Sequence, residues 1–286
     1  MPIKHNKTIK IIVKSIIELL IFLSVLITAY CFFWVSPRYA VPILTYHYFG
    51  YESTTEYKRS PLLFVTPENF AKQMRYLKEN SYQVIPLDTL VEGLKNKRRF
   101  PRNTVVITID DGHKSIFTYA YPVLKKYGFP VTVFIVSDYM GMKKDYLSWD
   151  QVQEMSKNNI SFGGHTRNHV YLLSIKNSRD ALWDEIAGSK KVIEDHLGIP
   201  IDYFCYPGGG FNNEIETLVQ QAGYKGACAT NRGFDILNRS NFYELDRVSV
   251  RNSDPYFSFL NLYKPIKFRA KLSGYYNLFR KTKRGE

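Results

Sequence analysis

The run Thr104-Val105-Val106-Ile107-Thr108-Ile109 constrains this chain more than any other stretch. It is too apolar and too β-branched for a strand with one wet face, and it suits a buried strand of a parallel sheet. Parallel neighbours need long crossovers, usually helices, and the sequence supplies them. Thr66-Pro67-Glu68 opens a helix, with Thr66 as cap and Pro67 at the first helical position, and Phe70, Met74 and Leu77 then recur at helical spacing. Strands are predicted over Ile43 to His47, Tyr82 to Ile85, Val131 to Val136, Tyr203 to Tyr206 and Tyr224 to Cys228. Helices are predicted over Leu87 to Leu94, Tyr119 to Tyr127 (stopped by Gly128), Ser148 to Lys157 (opened by a capping box with Gln151), Arg179 to Leu197 and Asn213 to Ala222. Strands alternating with helices imply an α/β fold, and the number of units favours a distorted or incomplete (β/α) barrel. No Gly-rich phosphate loop follows a strand, which counts against a nucleotide-binding doubly wound sheet.

The amino terminus carries a different pattern. Leu19 to Val35 is apolar and uncharged, and at about 1.5 Å per residue it extends about 26 Å, close to the thickness of a bilayer core. Lys4, Lys7, Lys10 and Lys14 precede it and Trp34 stands near its end, as expected for a positive-inside span with an interfacial aromatic. The following Ser36-Pro37-Arg38-Tyr39-Ala40 is a poor cleavage site, so an uncleaved transmembrane signal anchor is favoured over a cleaved signal peptide. The net charge of +13 invites acidic partners. The excess sits before the apolar run and in a basic tail, with no nucleic-acid motif between them, so nucleic acid is disfavoured. Anionic lipid or a polyanionic wall polymer suits the tail better, and a solvated end is the plain alternative. Cys31, Cys205 and Cys228 form no CxxC and no framework; Cys205 and Cys228 read as small buried hydrophobes, with a bridge between them left open.

Two short runs carry chemistry. Thr108-Ile109-Asp110-Asp111-Gly112 puts two carboxylates at the end of the apolar strand, where a turning chain lets both reach one cavity. Side by side they repel unless a cation shares them. Taken alone, the pair also reads as a helix cap followed by a Gly turn. His165-Thr166-Arg167-Asn168-His169 puts two imidazoles one helical turn apart, so that both can face one ligand. Gly163-Gly164 just before them allow close backbone approach. Together the runs supply one Asp and two His to a divalent metal and leave one Asp to move protons, the minimal kit for metal-assisted hydrolysis.

With these motifs the chain resembles the polysaccharide deacetylases, carbohydrate esterases with a NodB-homology domain. Their Thr-Phe-Asp-Asp-Gly is matched by Thr108 to Gly112, with Ile109 for Phe, and their His-Ser/Thr-x-x-His by His165 to His169. The resemblance covers about Val41 to Val250 and implies Asp110 as catalytic base, Asp111, His165 and His169 as metal ligands, and a divalent ion, most simply Zn²⁺. Phe204-Cys205-Tyr206-Pro207-Gly208-Gly209 resembles the third motif, Arg-x-Pro-aromatic-Gly, with Cys205 in place of Arg and Gly208 in place of the aromatic residue. The usual salt bridge to the base is therefore not expected from this loop. The Gly208 N–H is the implied oxyanion donor, with Tyr206 and Pro207 at the substrate; an ordinary Pro-Gly turn is the alternative. Leu245-Asp246-Arg247 occupies the place of the Leu-x-His that protonates the leaving amine, and arginine does not serve as a general acid near neutral pH. His47, Asp110 itself or a metal-bound water can return that proton, and His47 also reads as a buried strand-end histidine. Trp149 is assigned either to the sugar groove or to packing.

Pro42 to His47 and Tyr146 to Gln151 resemble the subgroup acting on poly-β-1,6-N-acetylglucosamine. The implied protein is a metal-dependent N-deacetylase of an N-acetylated extracellular polysaccharide, membrane-anchored, with the catalytic part outside the cell. The expected organisation is a cytoplasmic basic segment (1–18), a transmembrane signal anchor (19–35), a catalytic domain (41–262) and a basic tail (263–286). The alternatives are a peptidoglycan- or chitin-type deacetylase, an O-acetyl esterase, or an inactive membrane-anchored carbohydrate-binding protein.

Overall fold

The computed structural model describes residues 3–31, 40–51, 63–229, 241–250, 252 and 272. The chain divides into two units, Met1–Ala40 and Val41–Glu286. The first is a helix, α1 (Ile3–Tyr30). Its stretch Ile9–Tyr30, 22 residues with mean hydropathy 2.4, is long and apolar enough to cross a membrane. This stretch begins earlier than the Leu19 start expected from the uncharged run. Lys14 lies within it, 3.8 Å from Glu18 one turn on. Trp34 and the basic tail, apart from Leu272, lie outside the described residues.

The second unit is a curled parallel sheet with helices packed on its outer face and one, Leu87–Lys95, against its interior. Its strands are β1 (Ile43–Tyr46), β2 (Tyr48–Phe49), β3 (Phe64–Val65), β4 (Gln83–Val84), β5 (Thr104–Ile109), β6 (Val131–Ile135), β7 (Ile160–Gly164), β8 (Tyr203–Cys205), β9 (Gly226–Cys228) and β10 (Val248–Ser249). The main sheet runs β10-β1-β5-β6-β7-β8-β9, with β4 beside β5; β2 and β3 pair separately. The helices are α2 (Pro67–Glu79), α3 (Leu87–Lys95), α4 (Tyr121–Tyr127), α5 (Trp149–Ser156), α6 (Arg179–Trp183), α7 (Ser189–Leu197) and α8 (Asn213–Gln221). Thr66 caps α2, and Ser148 and Gln151 form the expected capping box on α5. The predicted helix Arg179 to Leu197 is present but interrupted by a π-turn, Asp184–Gly188, between α6 and α7. A second π-turn, Ile116–Ala120, leads into α4.

The pleat sorts each strand's side chains between two faces. Leu44 and Tyr46 of β1 and Val105, Ile107 and Ile109 of β5 pack outward under the helices. Ile43, Val106, Phe134, Cys205 and Cys228 face inward, where Leu87, Leu90 and Val91 of α3 fill the interior. Parallel register aligns Thr45 with Thr108 and Tyr46 with Ile109. Continuing that register one residue brings His47 beside Asp110, both on the inner face at the carboxyl ends of their strands, where sites of parallel α/β folds are built.

The segment after residue 241 completes the curl. Leu245 bridges Cys228 of β9 in parallel, and Val248 pairs with Leu44 of β1. One segment thus touches both edges of the sheet, and Arg247 lies between the two contacts.

Candidate active site

The Asp pair stands where β5 ends. The Asp110 N–H donates to the Tyr46 carbonyl at 2.9 Å, the last ladder bond before the chain turns. Asp111 (φ 73°) and Gly112 (φ 73°) make the turn in the left-handed region. A Cβ on Gly112 would lie 2.9 Å from both Ile135 Cγ2 and Met140 Cε, so glycine is required twice over. Both acids are buried, at 2% and 5% exposure.

Asp111 meets both imidazoles. Its Oδ1 is 3.3 Å from His165 Nε2 and 3.3 Å from His169 Nε2. His165 Nδ1 donates to the Cys205 carbonyl at 2.8 Å, which leaves the Nε2 lone pair for a ligand. One donor atom from each of the three residues falls within 4.8 Å of the others. One carboxylate and two imidazoles, with an open side, fit a catalytic divalent ion. Asp110, His165 and Cys205 also lie close together, but both Asp110 oxygens are taken by an arginine, so the Asp111 set is where a cation fits. The Tyr48 hydroxyl donates to Asp111 Oδ2 at 2.6 Å and so orients the carboxylate. Burial, then the Asp111 charge, raises the Tyr48 pKa and keeps that phenol protonated.

The two imidazoles are not a helical turn apart, which corrects the sequence reading. His165 directly follows β7, and the chain to His169 is an irregular loop with Thr166 (φ 63°) and His169 (φ 57°) left-handed. Such non-glycine conformations cost about 1–3 kcal/mol each and persist only where surroundings over-determine them. The four-residue spacing suits the ligand set through this loop instead.

Asp110 has a partner that the sequence did not reveal. Arg247 Nη1 and Nη2 donate to its two oxygens at 2.7 and 2.7 Å. The same guanidinium donates to Thr108 Oγ1, the Ala229 carbonyl and Cys205 Sγ, so all five N–H groups are used. The residue standing where the resemblance places a histidine thus supplies the arginine missing from the third motif. Cys205 fills the vacated space with a thiol 3.0 Å from Arg247 Nη2, and neither it nor Cys228 is in a disulfide. The available signal was an arginine directly before the short strand-like run Val248-Ser249-Val250.

Electrostatics separates the two acids. Burial raises Asp110, but the Arg247 charge and hydrogen bonds, then His47 and His165, outweigh it and hold it below the ordinary carboxylate value. Burial also raises Asp111, and the hydrogen bonds from His165 and His169 drive it well below that value. His47 Nε2 lies 3.6 Å from Asp110 Oδ2, and burial lowers its pKa in spite of both acids. His47 is therefore neutral at rest.

The other expected residues fall in different surroundings. Gly208 is exposed at φ 63°, with the Tyr171 ring against it; a Cβ there would sit 3.3 Å from Tyr171 Cδ2. Tyr206 is fully buried and stacked on Phe211 with centroids 4.3 Å apart, so its side chain serves the core and not a sugar groove. Pro207 is likewise buried and starts the short turn that carries Gly208. Trp149 packs: its ring stacks on His196 with centroids 3.8 Å apart.

Comparison with known proteins agrees with this geometry. A family profile described as polysaccharide deacetylase matches residues 97–227. The polysaccharide-deacetylase-family protein YxkH of Bacillus subtilis is 30% identical over 210 residues, covering 73% of this chain and 71% of its own. The poly-β-1,6-N-acetyl-D-glucosamine N-deacetylase of Staphylococcus aureus is 28% identical over 210 residues, covering 68% and 70%. Among solved structures, the Streptococcus pyogenes deacetylase PplD in complex with acetate superposes with a TM-score of 0.68 at 26% identity, over 74% of this chain and 93% of that one. A curled parallel sheet bearing both signature runs, with this much of its length shared, belongs to the polysaccharide deacetylase family.

Proposed function

We propose that this protein removes N-acetyl groups from N-acetylglucosamine residues of an extracellular polysaccharide by metal-assisted hydrolysis. One observation carries the proposal: Asp111 is shared by two imidazoles at 3.3 Å, beside an ionised Asp110 kept off the ligand set by Arg247. Asp111, His165 and His169 would hold the ion, and zinc is the simplest choice for two nitrogens and a carboxylate. Such an ion, when bound, acidifies a water and polarises the acetyl carbonyl.

The chain's own groups do the rest. Asp110, ionised at neutral pH, takes a proton from the attacking water. Its low pKa makes it a modest base, and in exchange it is always in the right protonation state. An amide nitrogen leaves only when protonated. His47, neutral and 3.6 Å from Asp110 Oδ2, is placed to receive that proton and pass it to the nitrogen. That distance exceeds a hydrogen bond and must shorten with substrate bound. The Gly208 N–H is offered to the oxyanion, a contribution worth about 10²–10³ in rate. One water and one amide give acetate and a sugar amine.

Poly-β-1,6-N-acetylglucosamine is the favoured polymer, on the likeness to the staphylococcal N-deacetylases. The Ile9–Tyr30 helix is assigned as the anchor that leaves residues 41–262 outside the membrane. The test is acetate release from β-1,6- and β-1,4-linked N-acetylglucosamine oligomers and O-acetylated glycans, with and without chelator. Chelator-sensitive release, greatest on β-1,6 oligomers, is expected. Asp110→Asn should keep the metal and lose about 10²–10⁴ in rate. A fully metallated protein inert on every acetylated glycan would turn the reading to carbohydrate binding.

A further inference from the structure

The two imidazoles are held very differently. His165 is fixed at both ends: its backbone N–H donates to the Ile135 carbonyl at 3.0 Å, its Nδ1 to the Cys205 carbonyl, and its side chain is 3% exposed. The His169 side chain is 42% exposed and touches Asp111 and the His165 ring. It is far less enclosed than His165. Its position is inherited from residues 166–168.

Those residues are gripped by one carboxylate. The consecutive N–H groups of Arg167 and Asn168 both donate to Glu185 Oε2, each at 2.9 Å, and Asn168 Nδ2 donates to Oε1 at 3.0 Å. Successive N–H groups converging on one point form an anion-binding nest. Here the anion is a side chain of the same protein. Glu185 is only 8% exposed, a costly place for a carboxylate unless donors surround it, and the loop provides three. It stands in the π-turn Asp184–Gly188, and such turns recur at functional sites. The rest of the turn is fitted to the same loop. Asp184 takes Arg167 Nη1 at 2.8 and 2.9 Å, and a Cβ on Gly188 would lie 2.9 Å from Arg167 Cδ.

We propose that Glu185 is a positioning residue for the ion site: its carboxylate fixes the Arg167–Asn168 backbone and so sets where the His169 imidazole stands relative to His165. This rests on reading Asp111, His165 and His169 as ion ligands. Glu185 itself touches neither ion nor substrate.

The test measures Zn²⁺ affinity of the full chain by competition with a chromophoric chelator, and the visible spectrum with Co²⁺ in its place. Glu185→Leu is expected to weaken Zn²⁺ binding by about 10–100-fold and to alter the Co²⁺ spectrum. Glu185→Gln should restore both. Its Oε1 can accept both backbone N–H groups, and the Asn168 amide can turn to accept from its Nε2. A general loss of fold would not be rescued this way. Because the effect acts through one ligand, Glu185→Leu should change little in a His169→Ala background. If Glu185→Leu does not fold, Glu185→Asp, which keeps the charge but falls one methylene short, takes its place and should bind about tenfold more weakly. Wild-type Zn²⁺ affinity in whichever variant folds, or a full additional loss on top of His169→Ala, overturns the proposal. If His165→Ala and His169→Ala also bind Zn²⁺ like the wild type, the ion-site reading falls and this inference with it.

Discussion

Asp110 and Asp111 are neighbours in sequence and live in opposite surroundings. Asp110 is closed in: both oxygens are bound to one guanidinium whose five donors are all committed. Asp111 is divided. One oxygen faces two imidazoles and the other takes a tyrosine hydroxyl, with a half-exposed histidine at the edge. The first acid is neutralised by a permanent partner 137 positions away; the second is oriented by a tyrosine hydroxyl and two imidazoles, groups that can share it with a cation. Two like acids thus gain two roles, because the fold brings a permanently charged guanidinium to one and two titratable imidazoles to the other.

Removing that positive charge is the severest way to break the contrast. Arg247→Leu leaves a buried carboxylate unpaired and should cost about 3–5 kcal/mol of stability. Asp110 has a folded pKa below its unfolded value, so the pair stabilises at neutral pH and that contribution is lost as pH falls through the folded pKa. Without Arg247 the strongest lowering influence is gone, so the Asp110 pKa rises and its contribution to stability at neutral pH shrinks. The acid limb of kcat/KM should therefore move to higher pH. Arg247→Lys keeps a charge but loses the fork, and should fall between. Denaturant midpoints and the pH–rate profile check both; an unmoved acid limb in Arg247→Leu means the guanidinium does not tune the base.

What the sequence disclosed follows the same division. Groups fixed by a single strand were legible. The β5 bounds, Thr104–Ile109, match the reading, and the turn at Asp111 leaves both acids buried at the strand end. Groups brought from a distance were not. Arg247 reaches Asp110 across 137 positions because its segment closes the curl, and no local periodicity encodes that pairing. Tyr48 lies on a two-residue strand, too short for a pattern. The His165–His169 spacing suggested a helix because two left-handed non-glycine residues cannot be read from composition. Glu185 fell inside the predicted helix Arg179 to Leu197, and the π-turn that carries it has no sequence signature.

On the ligand side, the contrast sharpens with pH. In the metal-free protein burial lowers His165, yet Cys205 and the Asp111 hydrogen bond raise it to about 10, and His169 is raised chiefly by its bond to Asp111. A histidine raised on folding stabilises fully below its unfolded value of about 6.5, and that stabilisation is lost as pH climbs through the folded pKa. The melting temperature of metal-free protein should decline by several degrees from about pH 6.5 to 9. Zinc, which binds the deprotonated rings, should remove the decline, and His165→Ala should reduce it. Thermal melts across that range check it; a flat profile in metal-free wild type would mean the imidazoles are neutral without the ion.

The smallest expected effect concerns the oxygen of Asp111 that faces away from the imidazoles. Tyr48→Phe deletes only the hydroxyl at 2.6 Å from Oδ2. The ring should stay, since it stacks on Phe64 with centroids 5.3 Å apart and meets His113 edge-on at 5.0 Å. Stability should change by about 1 kcal/mol, the net worth of one such bond. The freed carboxylate can then rotate away from the imidazoles, so Zn²⁺ affinity should fall by about tenfold, the low end for an outer hydrogen bond at a metal site. The rate at saturating Zn²⁺ should stay near wild type, because the phenol orients a ligand and moves no proton. A chelator-competition titration set beside the saturated rate separates the two. Unchanged affinity would reduce Tyr48 to packing, and a lost saturated rate would make it part of the chemistry on the Asp110 side.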